Sequence, residues 1–197
     1  MQLYASAPSP FVRKVRIALI ELGIEDRVEI VSTVPLDDPA YRAVNPLGKI
    51  PALRRPDGSV LYDSLVIVDW LDQTFGEGRL IPRDAAARNA ELHQHALANG
   101  VIDAAFNATS ELRRPEDLRS DFWLGRWSEA IVAGAAALAA EPPVRFGLGA
   151  ITAAVAADYV PFRLGQLGLD ISGLAAWRES LGARASLEAT APHREFA

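Results

Sequence analysis

The sequence predicts an α/β unit followed by an all-α unit, and three observations carry that expectation. Within residues 1–75, short runs of β-branched and aromatic residues alternate with stretches of helical spacing. The stretch GEGRLIPRD (76–84) then breaks the pattern with glycine, proline and charge. From Ala85 onward the chain is rich in alanine and leucine at helical spacing, with no run that reads as a strand. The expected boundaries are therefore 1–76 for the first domain, 77–84 for a linker and 85–197 for the second domain.

The elements follow in order. QLYAS (2–6) and RVEIV (27–31) read as strands. Between them Ser9 is a natural N-cap and Pro10 suits a first helical position. Phe11, Val15, Ala18 and Leu22 repeat at helical spacing, and Gly23 is a stop. Strand, helix and strand in succession imply a parallel pair. KIPAL (49–53) and SVLY (59–62) flank the turn RPDG (55–58), a hairpin pattern. Asp63 or Ser64 then caps a helix with Leu65, Val68, Leu71 and Phe75 on one face. The second half predicts helices over 85–113, 116–140, 150–167 and 172–182, punctuated by Pro142-Pro143 and Ser172-Gly173.

Composition narrows the chemistry. The chain has 197 residues, half of them hydrophobic and 23% charged, as in a globular protein of one large or two small domains. A net charge of -5 argues against nucleic acid as a partner, because phosphate contacts need a basic face. There is no cysteine, so disulfides, thiolate ligands and cysteine nucleophiles are excluded. Any sulfur chemistry must bring its sulfur with a co-substrate. The start, MQLYASAPSPF, has no signal-peptide pattern, and AIVAGAAALAA (130–140) is too short to span a bilayer. The expectation is a cytoplasmic protein with no membrane partner. His93 and His95 lie two apart on a helix and face different ways, so no metal is expected. GLGAIT (147–152) lacks the third glycine and the preceding strand of a dinucleotide loop.

Ser9 can be read in two ways. Its local pattern, SAPSPFVRKV (6–15), fits a plain helix cap, and it equally fits a cap whose hydroxyl does chemistry. Arg13, Lys14 and Arg16 behind it read as the solvated face of the helix.

Three motifs together carry a resemblance: SPFVRKVRIAL (9–19), NPLGKIPAL (45–53) and YDSLVIVDWL (62–71). At this spacing, in a small α/β unit followed by a helical one, they resemble the glutathione transferase family, serine type. ELRRPEDL (111–118) and DYVPFRLG (158–165) resemble a bacterial branch of it. The resemblance implies a thioredoxin-like N-terminal domain with Pro51 in a cis peptide, an all-α C-terminal helical domain, and a homodimer. It also implies glutathione as co-substrate, with no metal. Ile50 would offer its backbone to the tripeptide, and Lys49 would meet one carboxylate. Ser64 and Asp63 would meet the γ-glutamyl end, unless Asp63 is only a cap. Ser9 would be the catalytic hydroxyl acting on the thiol, with Ser6 a competitor at the strand end. A small hydrophobic electrophile would sit between the Ser9 loop and the first long helix of the second domain, lined by Phe11, Asp103 and Phe106.

Three functions remain open on this reading: a transferase, a glutathione-binding module with vestigial catalysis, and a glutathione-dependent isomerase. The chain departs from the family at three places. Gly147 and Ala150 stand where a Ser/Thr-x-x-Asp capping box usually opens a helix, so both partners of the box are lost. Arg42 is the only basic residue from Ser32 to Val44, where some relatives carry a lysine for glutathione. Ser9-Pro10-Phe11 replaces the Ser-Ser-Cys of the isomerase branch.

Overall fold

The computed structural model describes residues 1–35 and 38–193. The chain divides into two compact units: Met1–Arg83 together with the described residues from Ala185 on, and Asp84–Arg184.

The first unit carries β1 (Gln2–Ala5), α1 (Pro10–Leu22), β2 (Glu29–Ser32), β3 (Ala52–Arg54), β4 (Val60–Leu61) and α2 (Ser64–Leu71). The strands form one sheet in the order β2-β1-β3-β4. β1 and β2 are parallel, with Leu3 opposite Ile30, as a strand–helix–strand unit requires. β3 is antiparallel to β1, and β4 to β3. This is the thioredoxin-like arrangement expected. β2 starts two residues later than the RVEIV run, and β3 starts only after Pro51, whose nitrogen has no proton for the ladder. Leu3, Ala5 and Leu53 from the sheet are buried, together with Val12, Val15, Ala18 and Leu19 of α1 and Ile67, Val68 and Leu71 of α2. In α2 it is Ile67 rather than Leu65 that completes the buried stripe.

The structure corrects the expectation in two places here. Arg13 and Lys14 are not a solvated face: they are 4% and 1% exposed. Within the segment 77–84, Leu80 and Ile81 are buried. Both donate their backbone N–H groups to the buried Asp72 carboxylate, at 2.9 and 2.8 Å. A helical turn missed in the sequence, α7 (Ala185–Glu188), packs on α1, so the chain returns to its first unit after the second. Four residues are too few to show helical periodicity.

The second unit is helical: α3 (Ala85–Leu112), α4 (Asp121–Ala140), α5 (Leu148–Leu164) and α6 (Ser172–Ser180). α5 is buried on nearly all sides and packs against α3, which suits its alanine-rich, all-round apolar sequence. The helix expected over 116–140 is split. Pro115 opens a single 3-10 turn at Glu116–Leu118, Arg119 is extended, and Ser120 caps α4 through the Trp123 N–H. The Ser120 N–H itself is taken by Glu111 Oε1 at 2.8 Å.

The start of α5 shows how the lost capping box is replaced. Gly147 stands at the N-cap with no side-chain bond of its own. Glu91, buried on α3, accepts the Gly149 N–H at 2.6 Å and pairs with Arg145 at 2.6 Å. The cap is thus supplied from a helix more than fifty residues earlier in the chain. Among the described residues, no helix is long and apolar enough to cross a membrane.

Candidate active site

Strand register brings three of the predicted segments to one end of the sheet. β1 runs toward Ala5 and hands the chain to Ser9. β3 runs the other way, and its first residue, Ala52, pairs with Tyr4, so Pro51 enters beside the end of β1. β4 reverses again, with Leu61 opposite Leu53, and so delivers Tyr62, Asp63 and Ser64 to that same end. Ser9, Pro51 and Ser64 therefore all lie off one end of the sheet, and two of them sit at helix N-termini.

Ser9 is the N-cap of α1, with φ -79 and ψ 121. Its Oγ accepts the Val12 N–H at 3.3 Å, and its carbonyl accepts the Arg13 N–H at 3.0 Å. A hydroxyl carries one donor and two acceptor lone pairs, so capping occupies a lone pair and leaves the O–H to donate. Cap and chemistry are therefore compatible at this residue. Ser6 meets Ser9 through the backbone, its carbonyl accepting the Ser9 N–H at 3.2 Å.

The Ile50–Pro51 peptide is cis, as expected, and Pro51 is buried. The Lys49 side chain is exposed and Ile50 half-buried. The loop is fixed by two residues that sequence reasoning passed over. The Lys49 carbonyl accepts the Tyr41 hydroxyl at 2.9 Å and the Asn45 amide at 2.7 Å, and both side chains are buried. Asn45 Oδ1 also accepts the Leu47 N–H at 3.1 Å. Burial pushes the Tyr41 phenol up to about 12. The one signal for Asn45 was its place in an Asn-Pro turn; nothing local marks Tyr41. Arg42 donates to the Pro46 carbonyl at 3.2 Å and so ties the same loop.

Asp63, not Ser64, is the N-cap of α2, its carboxylate accepting the Leu65 N–H at 3.0 Å. Ser64 follows as the first helical residue and is buried. The Tyr62–Asp63 peptide is also cis, a feature with no sequence signature. The N-termini of α1 and α2 both lie at this end of the sheet, and the helix dipole there favours an anion.

Phe11, the second residue of α1, is half-buried, with the Lys14 ammonium 5.3 Å from its ring centroid. Asp103 and Phe106 belong to the second unit, three apart on α3 and both exposed. Asp103 accepts the Asn99 amide at 3.0 Å.

Residues 8–74 match the model of the glutathione S-transferase N-terminal domain. The fold superposes on a glutathione transferase family member from Pseudomonas fluorescens Pf-5, solved with bound glutathione. The TM-score is 0.90, with 40% identity over 98% of each chain. A second structure of a Pf-5 family member holds S-(propanoic acid)-glutathione, at a TM-score of 0.87 and 40% identity over 98% of this chain and 100% of that one. Among curated proteins, the uncharacterised GST-like protein YibF of Escherichia coli K12 is 34% identical over 66% of this chain and 64% of its own length. Maleylacetoacetate isomerase of Pseudomonas aeruginosa is 31% identical over 64% of each. The chain thus spans slightly under two thirds of these curated relatives. This chain belongs to the glutathione transferase family.

Proposed function

We propose that the chain is a glutathione transferase in which the Ser9 hydroxyl donates to the glutathione sulfur and favours its thiolate. The observation that carries this reading is Ser9 at the start of α1, with its O–H left to donate, at the end of the sheet that also presents Pro51 and Ser64. The glutathione held by the Pf-5 relative supports the ligand.

A free thiol has a pKa near 8.5. Lowering it by ~2 units takes about 2.7 kcal/mol of preference for the anion. One hydrogen bond to a charged group contributes roughly 1.5–3 kcal/mol and a helix N-terminus about 0.3–1. Together they suffice without a general base. The thiol proton leaves to solvent, the sulfur forms a bond to an electrophilic carbon, and a leaving group departs or a conjugated bond takes up the electron pair.

In this reading Lys49 and the backbone of Ile50 hold one end of the tripeptide. Ser64 receives the γ-glutamyl carboxylate at the start of α2, and Asp63 faces the ammonium while keeping its cap. A small hydrophobic electrophile is the second substrate. The protein acts as a cytoplasmic homodimer.

A second reading, glutathione-dependent isomerisation, is favoured by the likeness to maleylacetoacetate isomerase. It regenerates the thiol, so consumption of glutathione during turnover separates the two.

The deciding experiment titrates the thiol of bound glutathione by thiolate absorbance in wild type, Ser9→Ala and Ser9→Gly. Alanine at a cap costs about 1 kcal/mol of stability and glycine only a few tenths. A pKa well below that of free glutathione, restored equally by both substitutions despite their unequal stability, assigns the effect to the hydroxyl. A bound thiol that titrates as in water in all three proteins makes Ser9 a cap alone and leaves a glutathione-binding module.

A further inference from the structure

Arg13 lies one turn into α1 and is buried, yet its side chain points to the far end of the sequence. Its Nη2 donates to the Leu187 carbonyl at 3.2 Å and its Nε to Thr190 Oγ1 at 3.4 Å. The Thr190 hydroxyl in turn donates to the Ser186 carbonyl at 2.7 Å, and the Ser186 hydroxyl to Glu21 Oε1 at 2.5 Å. Ser186, Leu187 and Thr190 are all at most 2% exposed. The segment therefore runs antiparallel to α1, held near one end of the helix at Glu21 and near the other at Arg13. A guanidinium withdrawn from water needs acceptors, and the returning segment supplies two of them at fixed positions.

This link ends one hydrogen bond from Ser9. The Arg13 N–H donates to the Ser9 carbonyl, the first rung of α1, and the Val12 N–H between them donates to Ser9 Oγ. A shift of α1 along its axis moves the Ser9 hydroxyl with it, and a productive hydrogen bond tolerates only about 0.5 Å of displacement. We infer that Arg13 is a positioning residue for Ser9, and that the segment from Ser186 to Thr190 fixes where that hydroxyl stands. The inference rests on the proposed role of Ser9. It predicts that a change at Thr190, 181 residues from Ser9 in sequence, alters the chemistry of the bound thiol.

The test uses the full chain with Thr190→Val, which keeps the shape and removes the hydroxyl, and Thr190→Ser, which restores it. Arg13→Lys is the companion variant, since an ammonium cannot hold both acceptors with the geometry of the fork. Thr190→Val should lower the thiolate-to-thiol ratio of bound glutathione ~threefold, about half a pKa unit. Thr190→Ser should recover it. In a Ser9→Ala background Thr190→Val should add nothing further. Exchange of the Val12 amide, measured in the same proteins, should quicken in Thr190→Val and Arg13→Lys. A Thr190→Val protein with an unaltered ratio, or one that lowers it as much without Ser9, overturns the inference. If Ser9→Ala alone leaves the thiol unchanged, the proposed role of Ser9 fails instead. Val12 exchange then decides the positioning claim, and an unchanged rate overturns it.

Discussion

Two helix N-termini in this chain solve one problem in opposite ways. α1 opens with its own serine, which accepts an amide three residues on. α5 opens with Gly147, which has no side chain, and takes its acceptor from Glu91, on a different helix. A cap of the first kind sits at the chain's surface edge with a proton left over, and can be turned to chemistry. A cap of the second kind is buried, saturated by Gly149 and Arg145, and serves only to hold two helices together. The same electrostatic need thus yields a candidate catalytic group in one unit and a structural clamp in the other.

The largest effect expected from breaking this comparison is at Glu91. Glu91→Ala removes a buried charged acceptor and leaves the Gly149 amide with nothing to replace it. The cost should be about 3 kcal/mol in urea unfolding. Glu91→Gln keeps an acceptor for Gly149 and loses only the charge facing the partly exposed Arg145, so about 1 kcal/mol is expected. Equal losses for the two variants would show that the ion pair, not the cap, matters. By contrast, Ser9→Ala should cost about 1 kcal/mol, the ordinary value of a local cap.

The clamp also dictates Gly149. A Cβ there would stand 2.9 Å from Gln94 Cβ and 3.2 Å from Glu91 Oε1. Gly149→Ala should therefore destabilise by about 1–2 kcal/mol, although alanine is the better helix former. Gly100, on α3, has nothing within 4 Å of such an atom. Gly100→Ala should stabilise by about 0.5–1 kcal/mol. Opposite signs from one chemical change, read as shifts in thermal midpoint, would confirm that close approach and not propensity sets Gly149.

What could be read in the sequence follows the same division. The Ser9 cap, a cap at Asp63 or Ser64, the cis bond at Pro51 and the parallel β1–β2 pair were legible, the cis bond through the family resemblance and the rest through motifs of a few residues. Glu91 was not, because its partner lies 58 residues away and no local pattern requires an acid there. Arg13 and Lys14 were misread for a related reason. Charge on a helix normally marks the solvated face, and only the return of the chain as α7 shows where Arg13 is held. Asp72 likewise carries no local signal, because its two amide partners lie eight and nine residues on. A segment rich in glycine and charge can thus be pinned by one buried carboxylate.

The Lys49 loop stands between the two kinds of cap and gives the mildest test. Its carbonyl is held by Asn45 and Tyr41, four and eight residues back, near enough to fold with the loop but too far to show as a motif. Tyr41→Phe removes one of two donors from that carbonyl, so about 1 kcal/mol should be lost at neutral pH. The pH dependence has a definite sign. Burial raises the folded phenol from its ordinary 10 to about 12, so the neutral form is the one the fold prefers. That contribution is complete below pH 10 and disappears as pH rises through about 12. The stability gap between wild type and Tyr41→Phe should accordingly hold steady up to pH 10 and close above it. A gap that persists undiminished to pH 12 would mean that Tyr41 is ionised as easily in the folded chain as in the unfolded one, and that the loop carrying Lys49 is braced by Asn45 rather than by a buried phenol.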